Sequence, residues 1–409
     1  MNCRRTLAGF AVVASLPVLA GAAPPEISAR AHALHFQSIV VDTHDDTTQR
    51  LLDPKFDLGA RHADGSIDIP RMRDGGLDAL FFSIWTPGTL AGPEALRQAL
   101  AQIDALQTQI DLHPKDIILA RTAEDVERAH AHKKIAALIG VEGGHMINDD
   151  LANLDKFFKL GARYMTLTHS VNTDWADSSG DTAKHNGLTD FGKQVVREMN
   201  RLGMIVDISH VADKTFYDAL AISRAPMIAS HSSSRAVCDA PRNMTDAMMK
   251  DLAAKGGVVQ INYHIGFLSQ AFKDAFEANG GAIKNAVDAE AKKRCGDNEA
   301  CQLIEADRIV RDEVAAGRLP RVEWTAIVDH IDHAVKVAGV DHVGLGSDFD
   351  GANMPFGMED ATHLPQITQA LLDKGYSSSD VRKILGGNTL RVLREVERAA
   401  RRIRLYSTK

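Results

Sequence analysis

Six short stretches of this 409-residue chain end in side chains that bind metal ions or move protons. They carry His44 with Asp46, Glu142 with His145, His169, His210, His231, and Asp348 with Asp350. Imidazole nitrogen and carboxylate oxygen are ligands that a first-row ion such as zinc accepts. Residues two apart in a strand project to the same side, so His44 and Asp46 point together. A single His-x-Asp is as readily the polar end of a strand, and the constellation carries the inference. Three imidazoles (His44, His210, His231) and two carboxylates (Asp46, Glu142) exceed what one catalytic zinc with an open position needs, so they suit two ions. Glu142 has two oxygens and can give one to each, and the glycines after it let backbone pass close by. Two neighbouring ions can hold a hydroxide between them and stabilise both ends of a displacement.

Each of these groups closes an apolar, strand-like run. The runs fall at residues 39–46, 78–85, 135–142, 163–168, 205–209, 226–230, 258–262 and 342–347, with helical periodicity between them, as over 94–113 and 190–202. Short buried strands alternating with helices predict parallel β/α units covered on both faces. Eight such units predict an α/β fold, a closed (β/α)8 TIM-like barrel whose catalytic groups gather at the C-terminal strand ends. Six of the eight strands end in His, Asp or Glu. No repeat or linker divides the chain, so residues 23–409 read as one domain. About 268–320, rich in Ala, Lys, Glu and Asp, reads as a helical insertion between the seventh and eighth strands: a solvated decoration, a lid or a dimer surface.

Composition narrows the function. Hydrophobic residues make up 44% and charged residues 25% of the chain, the net charge is -7, and no basic tract interleaves with aromatics. That excludes a nucleic-acid partner. Arg4 and Arg5, the apolar run 7–19 and Ala20-Gly21-Ala22 form a signal peptide over 1–22, which predicts export to a bacterial periplasm. The apolar run is too short to span a bilayer. Cys295 and Cys301 bracket a short polar loop at a spacing that suits a local disulfide in an oxidising compartment, which leaves Cys238 unpaired.

The ordered motifs resemble a known family. They are Asp42-Thr43-His44-Asp45-Asp46, Ile67 to Gly76, Gly140-Val141-Glu142-Gly143-Gly144-His145, Tyr164 to Ser178, Val206 to Val211, Ser230-His231-Ser232 with Pro241-Arg242-Asn243, and Gly344 to Gly351. Together they are similar to the membrane (renal-type) dipeptidases, peptidase family M19 of the metal-dependent hydrolase barrels. The resemblance implies two zinc ions per chain, with His44 and Asp46 on one, His210 and His231 on the other, and Glu142 bridging. It implies catalytic roles for His169 and Asp348 and substrate contacts for these two, Arg242 and Tyr263. It implies a secreted zinc dipeptidase that attacks with a metal-bridging hydroxide, acts on small dipeptides including those ending in a D-residue, opens some β-lactams, and forms homodimers. The chain ends in Arg401 to Lys409 without the apolar tail of a lipid-anchored member, so no membrane anchor is expected.

The chemistry of each role is sound on its own terms. A guanidinium forks onto a carboxylate, which suits Arg242 to a free C-terminus. His169 can steady an oxyanion and Asp348 can carry a proton. The fourth strand ends in Thr168 and His169, with no Lys to be carboxylated, so Glu142 is the better bridge. Asp42 and Asp45 are expected to hold the turn rather than the metals. An N-acyl amino acid also carries a free carboxylate, so Arg242 alone does not separate a dipeptidase from an amidase.

Overall fold

In the computed structural model, which describes residues 26–90 and 92–407, the apolar runs become the staves of a barrel. The strands are β1 (Val41–Asp45), β2 (Ala79–Trp85), β3 (Ile117–Leu119), β4 (Ile135–Glu142), β5 (Ala162–Thr166), β6 (Ile205–Asp207), β7 (Ile228–Ala229), β8 (Val258–Ile261) and β9 (Val343–Leu345). All pairings are parallel, and β2 meets β4 to close the ring. Eight strands form the barrel. The ninth, β3, is a three-residue flank on the first half of β4, Ile117 opposite Ile135, while β5 takes the second half of β4. So short a run carries no period of its own, which is why it is not legible in the sequence.

The strands are apolar on both faces because both are covered. Leu80, Phe82 and Ile84 of β2 and Ala137, Ile139 and Val141 of β4 belong to the core shared with the surrounding helices. Their alternates, Phe81 and Leu138, pack with Val41, Tyr164, Ile205 and Val258 in a second cluster. The helix Asn388–Ser407 adds Leu390, Leu393 and Val396 to it. Asn388 Nδ2 donates to the carbonyl of Val343, the first residue of β9, so this helix sits at the N-terminal ends of the staves. Glu142 shares the parity of Leu138 and therefore also points inward, at the opposite end.

Helix boundaries follow local chemistry. The helix Asp190–Leu202 starts where the Thr189 hydroxyl accepts from Gly192 N and stops at Gly203, whose φ of 91° a β-carbon would resist. Between β8 and β9 the chain leaves the barrel as a hairpin of two helices, Gln270–Cys295 and Glu299–Ala315. The Cys295–Cys301 disulfide ties its tip, and Cys238 is buried and free. The first helix breaks at Ala278–Gly281, where Asn279, Gly280 and Gly281 all have positive φ. The signal segment expected at 1–22 lies outside the described residues. Among those described, no helix is long and apolar enough to cross a membrane.

Candidate metal centre

The C-terminal strand ends converge on one carboxylate. Glu142, the last residue of β4, turns its two oxygens to different partners. Oε2 lies 3.4 Å from His44 Nε2 and accepts from the Ser83 hydroxyl at 3.2 Å. Oε1 lies 2.8 Å from His210 Nε2, 3.2 Å from His231 Nε2 and 3.8 Å from His169 Nε2. His44 Nε2 stands 3.7 Å from Asp46 Oδ1 and 3.9 Å from Asp348 Oδ1. The two Nε2 atoms of His210 and His231 are 3.0 Å apart. All five expected ligands therefore meet at one place, His44 and Asp46 on one side of Glu142 and His210 and His231 on the other.

The site fits metal ions on its own chemistry. His44 Nε2 and Asp46 Oδ1 are buried without a hydrogen-bond partner, a costly state that a cation would relieve. Three overlapping triads, His44–Glu142–His231, Glu142–His169–His210 and His44–Asp46–Asp348, hold their donor atoms within 4.8 Å of one another. Mixed imidazole and carboxylate donors suit a first-row divalent ion.

Outer partners aim the ligands. His44 Nδ1 is 2.8 Å from the Tyr164 hydroxyl, and His231 Nδ1 is 2.8 Å from Ser230 Oγ, which donates to Asp207 at 2.6 Å. Each contact occupies the far ring nitrogen and leaves Nε2 facing Glu142. Asp42 accepts from His44 N and Ser347 N, and Asp45 from Thr47 N, so both hold backbone rather than the cluster. His210 and Asp348 both have a φ of 66°, a costly conformation for a residue with a β-carbon, kept here where the turn must deliver the side chain. Gly351 is required by contact: a β-carbon there would stand 1.7 Å from Asp46 Oδ2.

Electrostatics favours the ligating protonation states of Glu142, His210 and His231 and opposes those of His44 and Asp46, whose protons a cation has to displace. Burial opposes a charge on His44, but the carboxylates of Glu142 and Asp46 outweigh it and raise its pKa to about 10. Burial holds His210 and His231 well below the imidazole range, helped by Arg242 and His44 respectively. Glu142 is pulled well below its ordinary value: burial resists, and His44 and His169 prevail. Burial pushes Asp46 up, against the pull of His44. Neutral imidazoles and an ionised Glu142 are the forms that bind a cation.

A cavity of about 330 Å³ opens over the cluster. Asp46, Glu142, His169, His210, Arg242 and Asp348 line its base, and Trp85, His264 and Phe267 its sides. Arg242 donates from Nη1 to Ser232 Oγ at 3.3 Å and from Nη2 to the His231 carbonyl at 3.2 Å. Its Nε is buried without a partner, and Phe267 lies 5.3 Å beneath the guanidinium. Asp348 Oδ2 accepts from Asn262 Nδ2 at 2.8 Å. Tyr263 departs from expectation. It is wholly buried, edge-on to Phe349 at 5.8 Å, with its hydroxyl closed off from the cavity. Past the end of β8 the side chains still alternate, so Asn262 and His264 reach the site and Tyr263 faces the core.

A family model for membrane dipeptidase (peptidase family M19) matches residues 28–407. The chain belongs to the membrane dipeptidase family, peptidase M19. Dipeptidase 3 of Mus musculus is 32% identical over 385 residues, 91% of this chain and 67% of that protein. Dipeptidase 3 of Macaca fascicularis is 32% identical over 395 residues, 93% of this chain and 70% of that one. Among solved structures, the probable dipeptidase PvdM from Pseudomonas aeruginosa is 28% identical at a TM-score of 0.77, covering 91% of this chain and 98% of that chain. A metallo peptidase from Rhodobacter sphaeroides, liganded with a phosphinate mimic of the dipeptide L-Ala-D-Ala, is 27% identical at 0.73, covering 88% and 100%.

This M19 chain is thus a metallopeptidase of dipeptidase type on a (β/α)8 barrel. Tyr164 and Ser230 stand in the quoted motifs, but their contacts with His44 and His231, and the place of His264 on the cavity wall, escape sequence reading, because a strand tyrosine or a loop serine carries no spacing signal. His145 stands in the M19 motif but turns aside, its Nε2 2.9 Å from Thr86 Oγ1.

Proposed function

We propose that this chain is an exported dipeptidase that holds two zinc ions, one on His44 and Asp46, the other on His210 and His231, with Glu142 between them. The observation that carries the reading is the split of the Glu142 carboxylate, one oxygen toward His44 and the other toward His210 and His231. When bound, the ion pair supplies an activated water and Lewis-acid polarisation of the scissile carbonyl.

The chain's own residues do the rest. Arg242 binds the substrate's terminal carboxylate through the guanidinium N–H groups that its contacts with Ser232 and the His231 carbonyl leave free, and Phe267 supports the guanidinium plane. His169 lies beside Glu142 with its Nδ1 buried and unpartnered, and burial lowers its pKa. It orients the scissile carbonyl and donates to the oxygen that gains charge. Asp348, held by Asn262, takes a proton at a carboxylate oxygen and returns it to the departing amine. A cavity of about 330 Å³ is at the small end of ligand sites, which suits a dipeptide. The phosphinate mimic in the Rhodobacter sphaeroides relative supports acceptance of a C-terminal D-residue. The charged and apolar leader and the Cys295–Cys301 disulfide support an oxidising, extracytoplasmic location.

Purified protein is to be assayed on L-Ala-L-Ala, L-Ala-D-Ala, their N-acetyl and amide derivatives, and a lactone, with zinc counted by elemental analysis. Turnover confined to the free dipeptides with two zinc per chain is expected. One zinc, or hydrolysis of N-acetyl substrates alone, overturns the reading.

A further inference from the structure

The hairpin between β8 and β9 forms the roof of the cavity, and its chemistry differs from that of the base. Phe276, Val287, Leu303 and Ala306 face the space above the metal ligands. The only charged hairpin groups on that surface, Lys284 and Asp288, pair with each other at 2.8 Å and keep more than half of each side chain exposed. Their charges offset one another, so the roof carries no net charge to draw an ionic substrate side chain. A charged side chain placed under this roof loses water without gaining a partner, whereas an apolar one gains burial.

The roof is also fixed in place. Val287, Ala291, Ile309 and Val310 are buried in the main core. Asp307 Oδ1 accepts from Met354 N at 3.2 Å, and Arg311 Nη2 donates to the Met354 carbonyl at 3.2 Å. Arg311 also pairs with Glu359 at 3.4 Å and lies 4.9 Å over Phe356. These contacts pin the second helix to the loop that follows β9, the same loop that begins with Asp348 and Gly351. The apolar wall is therefore registered against the base to within the rigidity of one loop.

We propose that this inserted hairpin is the side-chain wall of the substrate site and selects dipeptides that carry a bulky apolar side chain. The proposal rests on the dipeptidase reading for its substrate class and on the roof's chemistry for the selection. A pocket gains or loses roughly tenfold or more for each methylene it does or does not fill, so the preference is large enough to measure.

The test compares kcat/KM for Ala-Ala with dipeptides in which Leu, Phe, Asp or Lys replaces either residue. The wild type is expected to favour the Leu and Phe dipeptides over the Asp and Lys ones by tenfold or more at one of the two positions. Leu303→Asp is expected to abolish that preference, and Ala306→Phe, which fills the roof instead of charging it, to shift selectivity from Leu toward Ala. Lys293→Ala, on the hairpin's outer face, is the control and keeps the wild-type ratio. Equal turnover of apolar and charged dipeptides by the wild type, or ratios within twofold of wild type in both wall variants, overturns the proposal. Calorimetric binding of the same dipeptides reads the wall without turnover. Binding preference with no hydrolysis counts against the dipeptidase reading alone, and hydrolysis without preference counts against the wall alone.

Discussion

Replacing Tyr164 by Phe removes one oxygen and tests how the site aims its ligands. The Tyr164 hydroxyl is 2.8 Å from His44 Nδ1, and both side chains are wholly buried. With Nε2 turned to the metal, Nδ1 carries the proton and Tyr164 accepts it. In Tyr164→Phe that N–H is left buried and unpaired, which costs about 1–3 kcal/mol. The ring can escape the penalty only by rotating away from Glu142. Loss of such a partner weakens metal affinity by about 10–100-fold. On the two-zinc proposal the effect falls on the ion assigned to His44 and Asp46. On the same proposal the other ion keeps His210 and His231, and Ser230, which meets His231 Nδ1, still has its bond to Asp207 when the Tyr164 hydroxyl is gone. Titration with a chelator, with zinc counted by elemental analysis at each step, is expected to show one ion leaving at about 10–100-fold lower chelator than in the wild type while the second leaves near its wild-type point. Both ions leaving together, or neither moving, refutes the assignment of Tyr164 to one half of the site.

The other predictions concern the base of the cavity and the buried histidines. Glu142→Gln removes the charge shared by both halves, so zinc content and turnover fall together in elemental analysis and assay. Asp348→Asn keeps the metals and lowers kcat by about 10²–10⁴-fold, the ordinary weight of a proton-transfer group; unchanged kcat removes Asp348 from the chemistry. Gly351→Ala drives a β-carbon into Asp46 and is expected to cost the ion on that side, read again as zinc per chain. For stability, burial lowers the pKa values of His35 and His330 to about 4 each, from 6.5. A depressed imidazole pKa means that the unfolded chain binds the proton first. Stability is therefore full above pH 6.5 and declines as pH falls toward 4, by up to about 3 kcal/mol per histidine. Urea unfolding midpoints measured at pH 7.5 and pH 5 should fall accordingly, and His35→Gln should flatten the slope.

The barrel was legible because each strand is short, apolar and bounded by chemistry. All eight runs end within two residues of the expected place, and even the shortest, β7 at Ile228–Ala229, lies inside the expected 226–230. The candidate metal ligands were legible because they close those runs, so their positions in the fold follow from the strand register. Arg242 was legible only through the resemblance, since a loop arginine carries no period. Tyr263 was misplaced for a local reason: with side chains alternating past the end of β8, a choice of one residue decides between cavity and core, and the structure gives the cavity to His264.

By itself the sequence determined the periodicity that makes eight staves, the side chains set at their ends, and the cysteine spacing that ties the hairpin tip. These are local properties, written within a few residues of where they act. Only the tertiary structure decided how the Glu142 oxygens divide, that Tyr164 and Ser230 aim the imidazoles, and that a hairpin more than a hundred residues beyond Glu142 roofs the site. Those depend on atoms brought together by barrel closure, and side chains distant in the chain carry no mark of the neighbours that closure will give them.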